Sequence, residues 1–249
     1  TVIAEYATLL LGLWLAWRVL RMRGISLAML RTAWRGDLRR LLALNRDIML
    51  RSLLLQLCFA SLTILGARMG GEVVAVNAVL MNLLTFTAYA LDGFAYAVEA
   101  HSGHAYGARD GRQLHKVWRA ACRQACLVAC GFAVIYLFAG QQIVAGLTSL
   151  PELRALANHY LPWQVVLPLV GVWCYLLDGM FIGATRGAEM RNSMAVAAVG
   201  YGLTLFTLPV LGNHGLWLAL AVFLALRGAA LGWVWHRHSV QGTWFSSPN

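Results

Sequence analysis

Residues 73–102 read VVAVNAVLMNLLTFTAYALDGFAYAVEAHS, thirty positions with no Lys or Arg and only Asp92 and Glu99 as acids. As an α-helix rising 1.5 Å per residue this run is about 45 Å long, more than the roughly 30 Å of hydrocarbon in a bilayer. It lacks the apolar and polar alternation that a lumen-lining strand requires, which excludes a membrane β-barrel. Six more apolar segments accompany it, at 1–20, 47–69, 118–140, 157–185, 192–212 and 214–235. Each is long enough to span. The sequence therefore predicts an all-α integral membrane protein with seven transmembrane helices.

Composition agrees with the pattern. Of 249 residues, 60% are hydrophobic and 12% charged, against roughly 25% charged in a soluble domain. The excess of basic residues, 20 against 10 acidic, gives a formal charge of +10. Such a charge would suit a nucleic-acid partner, but the basic residues sit in short connections between spans, so no nucleic-acid partner is expected. Nine follow the first span, five the third, two the fifth and one the seventh; the opposite connections hold Arg68 and Arg154, and Arg227 lies inside the last span. By the positive-inside rule the seventeen face the cytoplasm. Thr1 is then periplasmic and Asn249 cytoplasmic.

An outside-in first span that begins Thr1-Val2-Ile3-Ala4-Glu5, without an initiator Met or a signal sequence, reads as the continuation of a longer chain. Between the first two spans, Leu27, Leu30, Trp34, Leu38 and Leu41 recur at helical spacing among Arg31, Arg35, Asp37, Arg39 and Arg40. That pattern fits an amphipathic linker on the cytoplasmic membrane surface. Pro162 and Pro168 fall inside the fifth span, where each removes a backbone donor and can kink the helix.

Charged groups inside the spans are the candidate functional residues, since each costs about 2.5–3.5 kcal/mol to insert at the centre of a bilayer. Asp92 and Glu99 lie two turns apart on one helix face, Asp178 is in the fifth span and Arg227 in the seventh. The sequences Tyr89-Ala90-Leu91-Asp92-Gly93 and Tyr175-Leu176-Leu177-Asp178-Gly179 match, and both helices run in the same direction. Asp92 and Asp178 are thus expected at comparable depth, facing one cavity. A buried carboxyl can be brought toward neutrality in its titration, so that a proton competes with a cationic compound or sodium for the same oxygens. The bland reading is a structural ion pair with Arg227. Asp47 and Arg51, spaced i, i+4, read as a structural pair.

Other clusters carry less. Cys122, Cys126 and Cys130 share a helix face, and with Cys58 and Cys174 they read as small hydrophobes rather than a metal site. His101 and His104 read as interfacial side chains. No HExxH, GxSxG or Walker loop is present, so neither enzymatic activity nor a cofactor is expected.

The stretch 89–110, YALDGFAYAVEAHSGHAYGARD, resembles the eighth-helix signature of multidrug and toxic compound extrusion (MATE) transporters, with His104 where that family usually has Gln. LDGMFIGATRGAEMRN, at 177–192, resembles the tenth helix and the loop after it. The resemblance runs over essentially the whole sequence. It implies the last helix of a first lobe at 1–23, an interlobe linker at 24–46, a six-helix second lobe at 47–237 and a cytoplasmic tail at 238–249, with the N-terminal lobe missing. It further implies an inner-membrane antiporter that expels cationic or amphipathic organic compounds against H+ or Na+, the coupling ion. Asp178 falls at the tenth-helix acid and Glu99 in the acidic part of the eighth-helix motif. With Asp92, Arg227, Tyr89 and Tyr175 they make up the expected coupling and cavity residues; the expected partners are the substrate, the coupling cation and the lipid bilayer. Two alternatives stand beside this: a flippase for lipid-linked precursors, and a seven-helix ligand receptor. A retinal protein is excluded because the single lysine, Lys116, lies in a loop.

Overall fold

A computed structural model describes residues 2–22, 24 and 38–245. The expected surface linker falls on residues 24–46, of which 25–37 lie outside the described residues. The chain divides into two units, Thr1–Ala43 and Leu44–Asn249. In the first, α1 (Val2–Met22) is apolar on all sides, with Arg18 stacked over Trp14 and Arg21 over Trp17. Such cation–π stacking suits residues at a membrane interface.

The helices that follow are α2 (Leu38–Arg68), α3 (Gly71–Gly107), α4 (Gly111–Leu147), α5 (Pro151–Gly183), α6 (Gly187–Thr204), the short α7 (Leu208–Leu211) and α8 (Asn213–Gln241). Among the described residues, seven helical segments are long and apolar enough to cross a membrane. They run further than the apolar stretches alone suggested, so the connections after α2 shrink to tight turns. Polar residues at the ends of α3, α4 and α5 continue the helix because their backbone bonds are already made within it.

Two turns share one construction. α3 ends at Gly107-Ala108-Arg109 and α5 at Gly183-Ala184-Thr185, with Arg109 and Thr185 in the left-handed region (φ 54° and 56°). The next amide then bonds back to the final turn, Asp110 to the Ala105 carbonyl and Arg186 to that of Phe181, each at 2.9 Å. Such closure satisfies carbonyls that a helix end leaves free. Asp110 also caps α4 by accepting from the Gln113 amide at 3.0 Å.

α5 is central, packed against α3, α4 and α8, while α6 packs on α8. The α3–α5 crossing is close because small residues meet there. A side chain on Gly179 would run into the Ala95 carbonyl, and one on Gly183 into Ser102 and the Glu99 carbonyl. Backbones approach in this way where lipid supplies no hydrophobic drive to hold helices together. Polar side chains tie the remaining pairs. Asn77 and Asn213 exchange amide hydrogen bonds at 2.8 and 2.9 Å between α3 and α8, Thr87 meets Tyr136 at 2.6 Å, and Ser61 meets Tyr201 at 2.9 Å.

The tail expected at 238–249 is built into the bundle as far as it is described. α8 continues to Gln241, and the turn Thr243–Phe245 folds back so that Trp244, 2% exposed, rests against Phe181, Trp235 and His238. Arg186 holds it, donating to the carbonyls of Thr243 (3.2 Å) and Trp244 (2.9 Å) and to Glu189 (2.6 Å). Trp244→Ala is expected to destabilise the folded protein by about 3–5 kcal/mol, read as a lowered midpoint of thermal unfolding. Gly179→Ala is expected to cost about 1–3 kcal/mol by forcing α3 and α5 apart, on the same measurement.

Candidate functional site

Two apolar cores fill the second unit, one around Leu80, Trp217 and Phe223 and the other around Phe181, Leu231 and Trp235. Arg227 falls on α8 between Leu224 of the first core and Leu231 of the second. It is 4% exposed, with its guanidinium 5.5 Å from the Phe223 ring. Asp178 faces it from α5 and is 7% exposed.

Asp178 is bound twice. Its Oδ2 accepts from Nη2 of Arg227 and from Nη2 of Arg51, the latter reaching across from α2. Three helices thus converge on one carboxylate oxygen. Burying these charges is tolerable because each is opposed at contact distance; left alone, any one of them would cost several kcal/mol. The three sum to one positive charge. Arg51 Nε is buried with no hydrogen-bond partner, so the site retains a donor.

Asp92 supplies the fourth charge. It is half-buried on α3, within electrostatic range of Asp178, Arg227 and Arg51, and makes no hydrogen bond or ion pair among the described residues. The α3–α5 crossing sets its level, since Gly179 lies against Ala95, one turn beyond Asp92. The expectation that the two aspartates stand at similar depth matches this register. Tyr175 borders the same group of charges. Glu99 is half-buried further along α3, where its backbone carbonyl takes part in the crossing and its carboxylate has no ion-pair partner among the described residues. Tyr89 is 73% exposed, and no hydrogen bond joins it to the cluster.

Arg51 and Asp47 are not partners of each other. Asp47 accepts from Arg191 on α6 at 2.7 Å and from Arg46 at 3.1 Å, leaving Arg51 free to reach Asp178. Helical spacing places Asp47 and Arg51 on one face but does not register the stronger claims that α5 and α6 make on them. The signal for Arg51 was present all the same, as a basic residue one turn inside an apolar span. The five cysteines are free thiols, His101 and His104 are exposed, and no group of three His, Cys, Asp or Glu suited to a metal occurs among the described residues.

The MatE family profile matches residues 48–210, the greater part of the chain. The chain belongs to the MatE family. It is 72% identical over 247 residues to DNA damage-inducible protein F of Escherichia coli strain K12, covering 99% of this chain and 54% of that relative. It is 24% identical over 195 residues to Protein DETOXIFICATION 43 of Arabidopsis thaliana, covering 77% of this chain and 37% of that one. The chain thus spans about half or less of the curated relatives it matches. Among solved structures, that of a MATE protein in the bent conformation superposes with a TM-score of 0.73 at 18% identity, over 86% of this chain and 48% of that one. The shared fold is that of a MATE transporter, and this MatE family chain is a multi-pass membrane protein.

Asp178→Asn removes the one anion in contact with two buried guanidinium groups. The expected loss is about 3–5 kcal/mol of stability, read as early unfolding in detergent or lipid. Adding Arg51→Met to Asp178→Asn takes away one stranded cation and is expected to restore part of that loss.

Proposed function

We propose that this chain is the C-terminal part of a cation-coupled efflux transporter that exports cationic or amphipathic organic compounds in exchange for protons or sodium ions. Residues 1–23 would close a first lobe, 24–46 would link it along the cytoplasmic face, and 47–237 would form the second lobe. The lobes would rock to open the site alternately to each side of the bacterial inner membrane. The distribution of basic residues supports a periplasmic Thr1 and a cytoplasmic Asn249.

The observation that carries this reading is the pairing inequality between the aspartates. Asp178 is committed to two arginines, whereas Asp92 stands within their field with no partner of its own. With Asp92 ionised, two carboxylates offset two guanidinium groups, and one carboxylate is free to hold an organic cation or Na+. With Asp92 protonated, the group carries one net positive charge and repels such cargo. Proton and cargo therefore exclude one another, the logic that exchange needs. Asp178 acts here as the anchor that keeps both arginines in place. Glu99 and Tyr175, along the same helices, would line the path of the cation, and Tyr89 the outer surface of the cavity wall.

A flippase for anionic lipid-linked precursors is less well supported, because with Asp92 ionised the two arginines are offset by two carboxylates and the cluster carries no net positive charge.

In the full-length protein reconstituted into vesicles, Asp92→Asn is expected to slow efflux of a cationic dye driven by a proton or sodium gradient by about tenfold or more, with folding intact. Dye export at the unaltered rate would remove Asp92 from the mechanism.

A further inference from the structure

At the end of the bundle opposite the basic turns, the start of α5 meets the start of α8 through three side chains. Trp163 Nε1 donates to Nδ1 of His214 at 3.0 Å, and His214 Nε2 lies 3.0 Å from His159 Nε2. An indole N–H can only donate. His214 must therefore present a bare Nδ1, carry its proton on Nε2 and donate it to His159, whose own proton is left on Nδ1. Only this arrangement satisfies the whole chain, and in it both imidazoles are neutral. The Tyr160 ring packs against both, with centroids 5.1 Å from His159 and 4.6 Å from His214.

One added proton breaks the chain wherever it lands. On His159 it sets N–H against N–H across the 3.0 Å gap; on His214 it sets N–H against the indole. A metal ion held by both Nε2 atoms meets the same obstacle, because it would drive the His214 proton onto Nδ1. No charged side chain nearby replaces the lost bond, and His159 is exposed, so an added proton has access from solvent. The titratable side chains against His214 are His159 and Tyr160. Arg154, in the first turn of α5, is turned away to the carbonyls of Thr148 and Ala145, at 2.8 and 2.9 Å. Glu72 of α3 and Glu152 of α5 line a separate pocket with Leu150 and Leu156. α7 brings no titratable residue, and His214 is the one titratable residue in the first turns of α8.

The helix beneath is prepared to move. Pro162 and Pro168 each delete a backbone donor inside α5, and Asn158 Oδ1 and Gln164 Nε2 are buried without partners. Beyond Pro168 the two helices are in close contact, with Leu224 at Gly171 and Trp173 at Gly228, and the Asp178–Arg227 pair lies deeper still.

We propose that His159, His214 and Trp163 form a proton-released clasp: closed when both imidazoles are neutral, opened by a proton from the face opposite the basic turns, and freeing the part of α5 before Pro168 from α8. It stands independently of any role of Asp92 or Asp178 in coupling.

Hydrogen exchange of the full-length protein in lipid nanodiscs, corrected for intrinsic rates, tests this at about pH 8 and about pH 5, on either side of the unperturbed imidazole pKa near 6.5. Amides of residues 155–168 are expected to exchange roughly tenfold faster at the acid pH. The double substitution His159→Gln with His214→Gln keeps a donor and an acceptor at each position without a titrating ring, and is expected to abolish the acceleration. Equal corrected rates in the unaltered protein, or an undiminished response in the double variant, would overturn the proposal. Should that variant fail to fold, 15N spectra of the unaltered protein decide: His214 protonated on Nε2 and His159 on Nδ1 at alkaline pH is expected, and either ring in the other form would sink it.

Discussion

A single carboxylate oxygen, buried where three helices meet, sets the terms for the second unit. Asp178 is buried there in contact with two guanidinium groups, and Arg51 and Arg227 are each opposed by its carboxylate. The arrangement fixes α2, α5 and α8 relative to one another at a level where the apolar cores give way to each other. Buried ion pairs contribute little net stability over well-packed apolar groups, but losing one member is expensive. Such a cluster therefore acts as a registration device, and Asp92 stands within its field without an ion-pair partner among the described residues.

The rest of the bundle limits how that change can be expressed. Around the α3–α5 crossing, glycine and alanine bring backbones into contact, so sliding there is resisted by hard overlap. At the basic-turn end, Arg186 and Trp244 close the base with hydrogen bonds and stacked rings. The opposite end has two prolines, unpartnered polar atoms and a histidine pair. Buried polar atoms without partners also occur at the basic-turn end, on Arg186 and Glu189, so it is the two prolines and the histidine pair that set the opposite end apart.

Much of this was legible in the sequence because lipid imposes simple rules. Long apolar runs must be helices, so the spans could be marked, and charges inside them had to be functional or paired, which singled out Asp92, Glu99, Asp178 and Arg227. Periodicity could not reveal who pairs with whom. Asp47 and Arg51 share a face, yet Arg191 and Asp178, more than a hundred positions away, take them apart. Histidines spaced as widely as 159 and 214 carry no local signal at all, and Tyr89 matched Tyr175 in sequence while the structure leaves it exposed. The stretch expected as a cytoplasmic tail at 238–249 gave no sign of where Trp244 would pack, which depends on Phe181 and Trp235 from two other parts of the chain.

Infrared difference spectroscopy of the full-length protein in lipid, comparing alkaline with acid buffer, addresses the division of labour between the two aspartates most directly. The expected result is a protonated-carboxyl band on acidification that disappears in Asp92→Asn and persists in Glu99→Gln. A band that survives the loss of Asp92, with isotope editing assigning it to Asp178, would contradict the assignment of Asp178 as anchor and Asp92 as exchanging acid.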